Sequence, residues 1–146
     1  MIRLEQITEK TFYKVLRLKP LPEQENYIAP NVYSLAEAWL YQDKARPFVI
    51  MNDETPVGFI MLEWQEAEKE CSIWRFMIDK NYQKNGFGKQ AILQVLDMIK
   101  STNKFDIITL SCVETNEVAM KFYKSLGFKE TNIKDEDEII LEMKIN

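Results

Sequence analysis

The longest helical spacing in the chain runs from Phe87 to about Thr102, and on both sides of it the apolar residues come in strand-sized runs. Ile92, Val95, Leu96 and Ile99 fall on one helical face, while Lys89, Gln94, Asp97 and Lys100 fall elsewhere. Before it, Ile2 to Glu5 alternates, Arg46 to Asn52 and Pro56 to Trp64 are apolar runs split by Asp53-Glu54-Thr55, and Glu70 to Asp79 is a further strand. After it come a buried-strand pattern over Asp106 to Val113 and an amphipathic helix over Asn116 to Leu126. Gly127 then stands where a left-handed helix cap is expected. Two closing strands, Phe128 to Ile133 and Ile139 to Ile145, flank the acidic turn Asp135 to Glu138, which reads as a solvated hairpin tip. The result is a mixed α/β domain.

The N-terminal region carries two more helices. One is expected from about Thr8 to Leu18, stopped by Lys19-Pro20-Leu21-Pro22, because proline lacks a donor and restricts its predecessor. The other runs from Leu35 to Asp43, with Ser34 and Glu37 spaced as a capping box. At 146 residues the chain fits one domain, residues 1–146, with a real core; two independent domains would be cramped.

Composition removes several chemistries. There is no histidine, so Ser-His-Asp and Cys-His catalysis and the commonest zinc sets are absent, and no metal site is expected. Proton transfer must use carboxylates, tyrosines, lysines, backbone or water. A balance of 19 basic against 23 acidic residues, net charge −4, argues against a broad nucleic-acid-binding face. Cys71 and Cys112 are too few for a disulfide framework and read as reduced core thiols. No run approaches membrane-spanning length and no signal peptide is visible, so a cytoplasmic location without membrane partners is expected.

Two of the four glycines, Gly86 and Gly88, share one triplet between a strand and the long helix. Glycine there lets a ligand approach the backbone, and the helix beyond presents unpaired amides. Such a turn suits a phosphate or pyrophosphate, with Lys84 and Lys89 adding positive charge. A plain strand-to-helix turn explains the glycines equally well. The spacing is not that of a P-loop. Gly86-Phe87-Gly88-Lys89-Gln90-Ala91 does satisfy a dinucleotide fingerprint, but Lys80 to Asn85 intervenes where that motif turns at once.

Gln83-x-x-Gly86-x-Gly88 resembles the acyl-CoA pyrophosphate loop of the GNAT N-acetyltransferase superfamily. Asn116-x-x-Ala119-x-x-Phe122-Tyr123-x-x-x-Gly127-Phe128 resembles its second signature. Within the superfamily, Tyr27 to Ala38 and Trp74 to Asp79 are similar to bacterial polyamine acetyltransferases. The resemblance covers essentially the whole chain. It implies a single mixed, mostly antiparallel sheet flanked by helices, with acetyl-CoA as donor and direct transfer to a primary amine.

Residue by residue, it implies that Met77, Ile78, Gln83, Lys84, Asn85, Gly86, Phe87, Gly88, Lys89, Asn116 and Tyr123 hold the donor. Tyr123 also protonates the departing thiolate, and the oxyanion donor comes from distorted strand backbone near Met77 and Ile78. Asn116 has a second reading as a helix cap, and Tyr123 as a core aromatic.

For the base, Glu63 is the first choice because it interrupts an apolar run; Glu70, Glu23, Glu25 and Glu37 are further candidates, and water serves as well. Tyr27, Tyr33, Trp39 and Trp64, mixed with these acids, suit a flexible cationic amine, though core packing accounts for them too. The expected partner is a small-molecule amine. An antibiotic or protein N-terminus as acceptor, or a non-catalytic acyl-CoA-binding module, are the competing readings. Whether the chain is a monomer or a homodimer is left open.

Overall fold

A computed structural model describes residues 1–145. Seven strands form one sheet: β1 (Ile2–Glu5), β2 (Ala45–Asn52), β3 (Thr55–Gln65), β4 (Glu70–Ile78), β5 (Ile107–Val113), β6 (Lys129–Asp135) and β7 (Glu138–Lys144). Their order is β1-β2-β3-β4-β5-β7-β6. Every neighbouring pair is antiparallel except β4 and β5, which run parallel. The helices are α1 (Phe12–Arg17), α2 (Asn31–Leu40), α3 (Phe87–Thr102) and α4 (Glu117–Ser125). None of the described helices is long and apolar enough to cross a membrane.

Strand alternation sends side chains to two separate cores. On one face α3 lays Ile92, Val95, Leu96 and Ile99 against Ile60, Leu62, Ile108 and Leu110, and α4 joins the same cluster through Ala119 and Phe122, with Leu126 just past its end. On the other face Val15 of α1 and Ala38 of α2 pack over Val49, Phe59, Met61 and Met77, which belong to β2, β3 and β4. On this second face, β5 and β7 lie beyond that core.

The long helix starts and ends where its spacing predicts, with Gly86 (φ +79°) and Asn103 (φ +57°) in the left-handed region at its two ends. Gly127 adopts φ +108° after α4, as expected of a helix terminator. The N-terminal region departs from expectation. The first helix is shorter, because Thr8 to Thr11 closes a turn of its own through hydrogen bonds from Thr11 N–H and Phe12 N–H to the Thr8 carbonyl. The proline segment does not merely stop a helix; Pro22–Tyr27 forms a 3-10 helix. The second helix begins at Asn31 rather than Leu35, and Ser34 does not cap it. Pro30 occupies the cap position, and the buried Ser34 hydroxyl donates to the Pro30 carbonyl at 3.5 Å. Glu37 turns instead to Arg75 at 2.5 Å, and the buried Asn31 amide donates to the Val15 carbonyl at 2.9 Å, pinning α2 to α1.

Two irregularities in β3 and β4 position everything downstream. Met61 pairs with Arg75 but Leu62 pairs with Ile73, so Trp74 is an extra residue on β4, a β-bulge. Gly58 of β3 sits so close to β4 that a Cβ would stand 2.5 Å from the Met77 carbonyl oxygen and 2.9 Å from Ile78 Cδ1. Because backbone cannot yield as a flexible side-chain tip does, Gly58→Ala is expected to destabilise the fold by about 1–3 kcal/mol. Urea denaturation with an unchanged m-value is the check.

Candidate active site

β4 and β5 pair only from Glu70 to Ile73 on one and Ile107 to Leu110 on the other. One residue past the last pair comes the Trp74 bulge, which bends β4 away from its neighbour. Beyond it, Arg75 to Ile78 and Ser111 to Val113 line opposite walls of a cavity of about 1580 Å³. That exceeds the span of about 300–1,000 Å³ usual for a single small ligand, which leaves room for two reactants.

At one end lies the glycine-bearing turn, and its residues divide into two jobs. Gly86 needs its left-handed backbone, and a Cβ there would meet only Gln90 Nε2 at 3.9 Å, so the space above it is open. Gly88 is glycine for packing: a Cβ would press on Phe76 at 3.3 Å and Phe122 at 3.4 Å. The first α3 amide with a helical acceptor is Gln90, bonded to the Gly86 carbonyl at 3.2 Å. The amides of Phe87, Gly88 and Lys89 are therefore left for a ligand, at the positive end of the helix dipole and between the exposed Lys84 and Lys89.

Two expected donor-holding side chains are engaged elsewhere. Gln83 donates to the Ile78 carbonyl at 2.9 Å and to Gln24 Oε1 at 2.9 Å, tying the turn to the 3-10 helix. Asn85 donates to the Tyr82 and Gln83 carbonyls at 3.0 and 3.3 Å. Both shape the loop from within, so any contact they make with a ligand falls to their backbone. The buried Asp79 anchors the loop's start, accepting from the Lys19 and Asn81 amides at 2.8 and 3.1 Å.

In the middle, Tyr123 is boxed by Phe76, Phe122 and Phe128, with ring centroids 6.5, 5.2 and 5.9 Å away. Its ring lines the cavity, and no hydrogen bond joins its hydroxyl to the described residues. Burial, then the neighbouring Cys112, push the phenol well above the usual tyrosine range, so it keeps its proton at neutral pH. Asn116 caps α4, accepting from the Ala119 amide at 3.3 Å, and also lines the cavity. The thiols are poor nucleophiles: burial pushes Cys71 up to about 12 and raises Cys112 as well.

At the far end the cavity lies over the sheet face that α1 and α2 leave uncovered. Glu63, Ser72, Thr109 and Glu142 stand opposite one another on four consecutive strands, β3, β4, β5 and β7. The Ser72 and Thr109 hydroxyls meet at 2.7 Å. Glu63 pairs with Lys44 at 3.1 Å. Glu70 lines the same region; burial, then Glu142, Glu68 and Glu63, raise its carboxyl above the usual range.

Of the other candidates, Glu23 and Tyr27 line the cavity, whereas Glu37 is held by Arg75. Trp64 packs on Phe105 at 4.9 Å with Arg46 over it, in the opposite core. Tyr33 and Trp39 point to solvent. The strand distortion expected near Met77 and Ile78 is found at Trp74, although both residues line the cavity. Sequence reasoning does not single out Glu142, because it alternates with Leu141 and Met143 as any outward-facing polar strand residue does.

The Acetyltransferase (GNAT) family matches residues 3–128. The chain belongs to that family. It is an N-acetyltransferase whose acetyl donor is acetyl-CoA, and the open Gly86 surface with its three free amides fits that donor's pyrophosphate. Among its relatives are the spermine/spermidine N(1)-acetyltransferase of Bacillus subtilis strain 168 and the probable spermine N(1)-acetyltransferase of Bacillus subtilis subsp. natto strain BEST195. Each is 28% identical over 134 residues, covering 88% of both chains. The fold is shared with the crystal structure of the PaiA N-acetyltransferase of Thermoplasma acidophilum in complex with coenzyme A. That likeness has a TM-score of 0.76 at 20% identity and covers 99% of each chain.

Glu70 has a consequence for stability. Its folded-state carboxyl binds a proton more tightly than the unfolded one, so it destabilises the fold at neutral pH, and the penalty disappears as pH falls below the unfolded value. Glu70→Gln is therefore expected to raise the melting temperature at pH 7, with the gain shrinking toward pH 4. Thermal denaturation across that range is the measurement.

Proposed function

We propose that this acetyltransferase acts on a primary amino group of a small cationic amine of the polyamine or diamine class. The observation that carries the reading is the cavity's polarity. Its donor end carries Lys84, Lys89 and free amides, and its far end carries Glu63, Glu70 and Glu142, with Glu23 and Glu138 elsewhere on the same cavity. A compound with several ammonium groups matches such a wall through charge, and Tyr27 adds an aromatic face for a methylene chain or an ammonium. The names of the Bacillus relatives point the same way.

Acetyl-CoA supplies the thioester carbonyl and a thiolate leaving group. The loop from Gln83 to Gly86, through its backbone, and the amides of Phe87, Gly88 and Lys89 hold the pyrophosphate, with Lys84 and Lys89 neutralising its charge. Asn116 reaches the donor's arm, and β4 backbone near Met77 and Ile78 donates to the thioester oxygen, along the edge that β5 no longer pairs. Glu63, acting through water, accepts the proton that the ammonium must lose before nitrogen can attack. As the C–N bond forms and the C–S bond breaks, Tyr123 gives its phenolic proton to sulfur, and the second proton shed by the attacking nitrogen returns through water to restore the phenol. With no histidine and both thiols held protonated, transfer is direct and no acyl-enzyme forms.

An amine panel of spermine, spermidine, putrescine, an aminoglycoside and a peptide with a free N-terminus, scored by thiol release, tests the acceptor. Turnover is expected with the polyamines; release with the peptide alone would overturn the assignment. Tyr123→Phe is expected to lower kcat at least about tenfold, a barrier increase on the order of 1.4 kcal/mol, with acetyl-CoA affinity and melting temperature unchanged. Unaltered turnover would remove Tyr123 from the mechanism. Glu63→Gln is expected to abolish the acid limb of the pH–rate profile while Glu70→Gln retains it; the reverse result would make Glu70 the base.

A further inference from the structure

The solvent face of α2 is unlike that of any other helix in the fold. Val32, Tyr33, Trp39 and Leu40 are 59%, 56%, 73% and 72% exposed, and Ala36 between them is exposed as well. These positions recur at i, i+1, i+4, i+7 and i+8, so they form one stripe along the helix. None of them lines the substrate cavity. The helix has one charged residue, Glu37, and that is turned away to Arg75. A large aromatic side chain carries about 150–250 Å², so these exposed fractions put roughly 500 Å² of apolar surface on a single helix face. Such a patch rivals the largest found on ordinary monomers, about 300–600 Å², and patches of that size mark interaction sites.

The stripe is also symmetric in sequence. Ala36 lies midway between Val32 and Leu40, and midway between Tyr33 and Trp39. We propose that α2 is the dimerisation helix of this enzyme, packing antiparallel against α2 of a second copy about a two-fold axis through Ala36. In that arrangement Val32 meets Leu40 of the other copy, Tyr33 meets Trp39, and the two small Ala36 side chains let the backbones approach. A two-fold pairing needs a patch complementary to itself, and a stripe that reads the same in both directions about a small residue satisfies that condition. Pairing the two stripes removes about 1,000 Å² from water, the area at which specific interfaces begin. No charge is buried, because Glu37 keeps Arg75. The proposal is independent of the acceptor assigned above.

Light scattering coupled to gel filtration over a dilution series tests it. The protein is expected at twice the 17.3 kDa of one chain. Trp39→Glu, at a solvent-exposed position, is expected to weaken the dimer at least about thirtyfold with an unchanged circular dichroism spectrum. Ala36→Cys is expected to form a covalent dimer on mild oxidation, while the wild-type chain, whose Cys71 and Cys112 are buried, does not. Three results would overturn the proposal: a monomer at every concentration, a dimer indifferent to Trp39→Glu, or a dimer in which Ala36→Cys fails to cross-link. A monomer that floats with phosphatidylglycerol vesicles would assign the stripe to a lipid surface instead and overturn it equally.

Discussion

The single extra residue at Trp74 is what the rest of the site depends on. A parallel pair such as β4 and β5 gains from continuing its ladder, and here the ladder stops after Ile73 and Leu110. The bulge supplies the cause, since it adds a residue on β4 without one on β3 and so increases local bend and twist. Gly58 holds β4 on its other side, because only a residue without a Cβ lets β3 come that close to the Met77 carbonyl. β4 is thus kept against β3 while it is turned from β5. Unpaired strand edges inside a fold are costly, and this one lies along the cavity wall, open to a ligand's polar groups.

The same separation explains why one cavity has two chemical characters. On the α3 side of the sheet the parted strands open toward helix amides and lysines. On the α1 and α2 side they open onto a sheet face that no helix of the described residues fills, and there the pleat brings Glu63, Glu142 and Glu70 together. Burial, and then these neighbouring charges, raise the proton affinity of Glu70, which is a standing cost to the folded chain. Glu63 has Lys44 as an ion-pair partner. Glu70 has no such partner among the described residues, so its penalty stands uncompensated.

Much of this was legible in the residues, and the parts that were not share a reason. The α3 boundaries and the Gly127 turn follow from local chemistry, a 3.6-residue spacing or a need for positive φ, and they stand where expected. The α2 start was misplaced because Ser34-x-x-Glu37 fits a capping box, yet both side chains have tertiary partners, one the Pro30 carbonyl and the other Arg75 across on β4. The Trp74 bulge is a count of two residues against one between strands, so it exists only in the pairing and has no single-strand signature. Gly86 and Gly88 look alike in sequence, and only their neighbours reveal that one faces open space and the other an aromatic wall. Glu63 was visible because it breaks an apolar run, whereas Glu142 sits in a strand whose alternation hides it.

The absence of histidine bears most directly on Tyr123. A general acid at neutral pH must hold its proton until the transition state, and a phenol raised further by burial among Phe76, Phe122 and Phe128 does so without help. In the proposed mechanism its poor acidity toward water is no obstacle, because its acceptor there is a thiolate expelled beside the same aromatic wall. The free hydroxyl matters as much as the shifted titration. A core tyrosine satisfies its hydroxyl within the protein, so an unpartnered one at a cavity wall has its acceptor outside the chain. Under the proposed mechanism, desolvation therefore does for tyrosine what an unperturbed imidazole does elsewhere: it matches proton donor to proton acceptor by placing both in one environment.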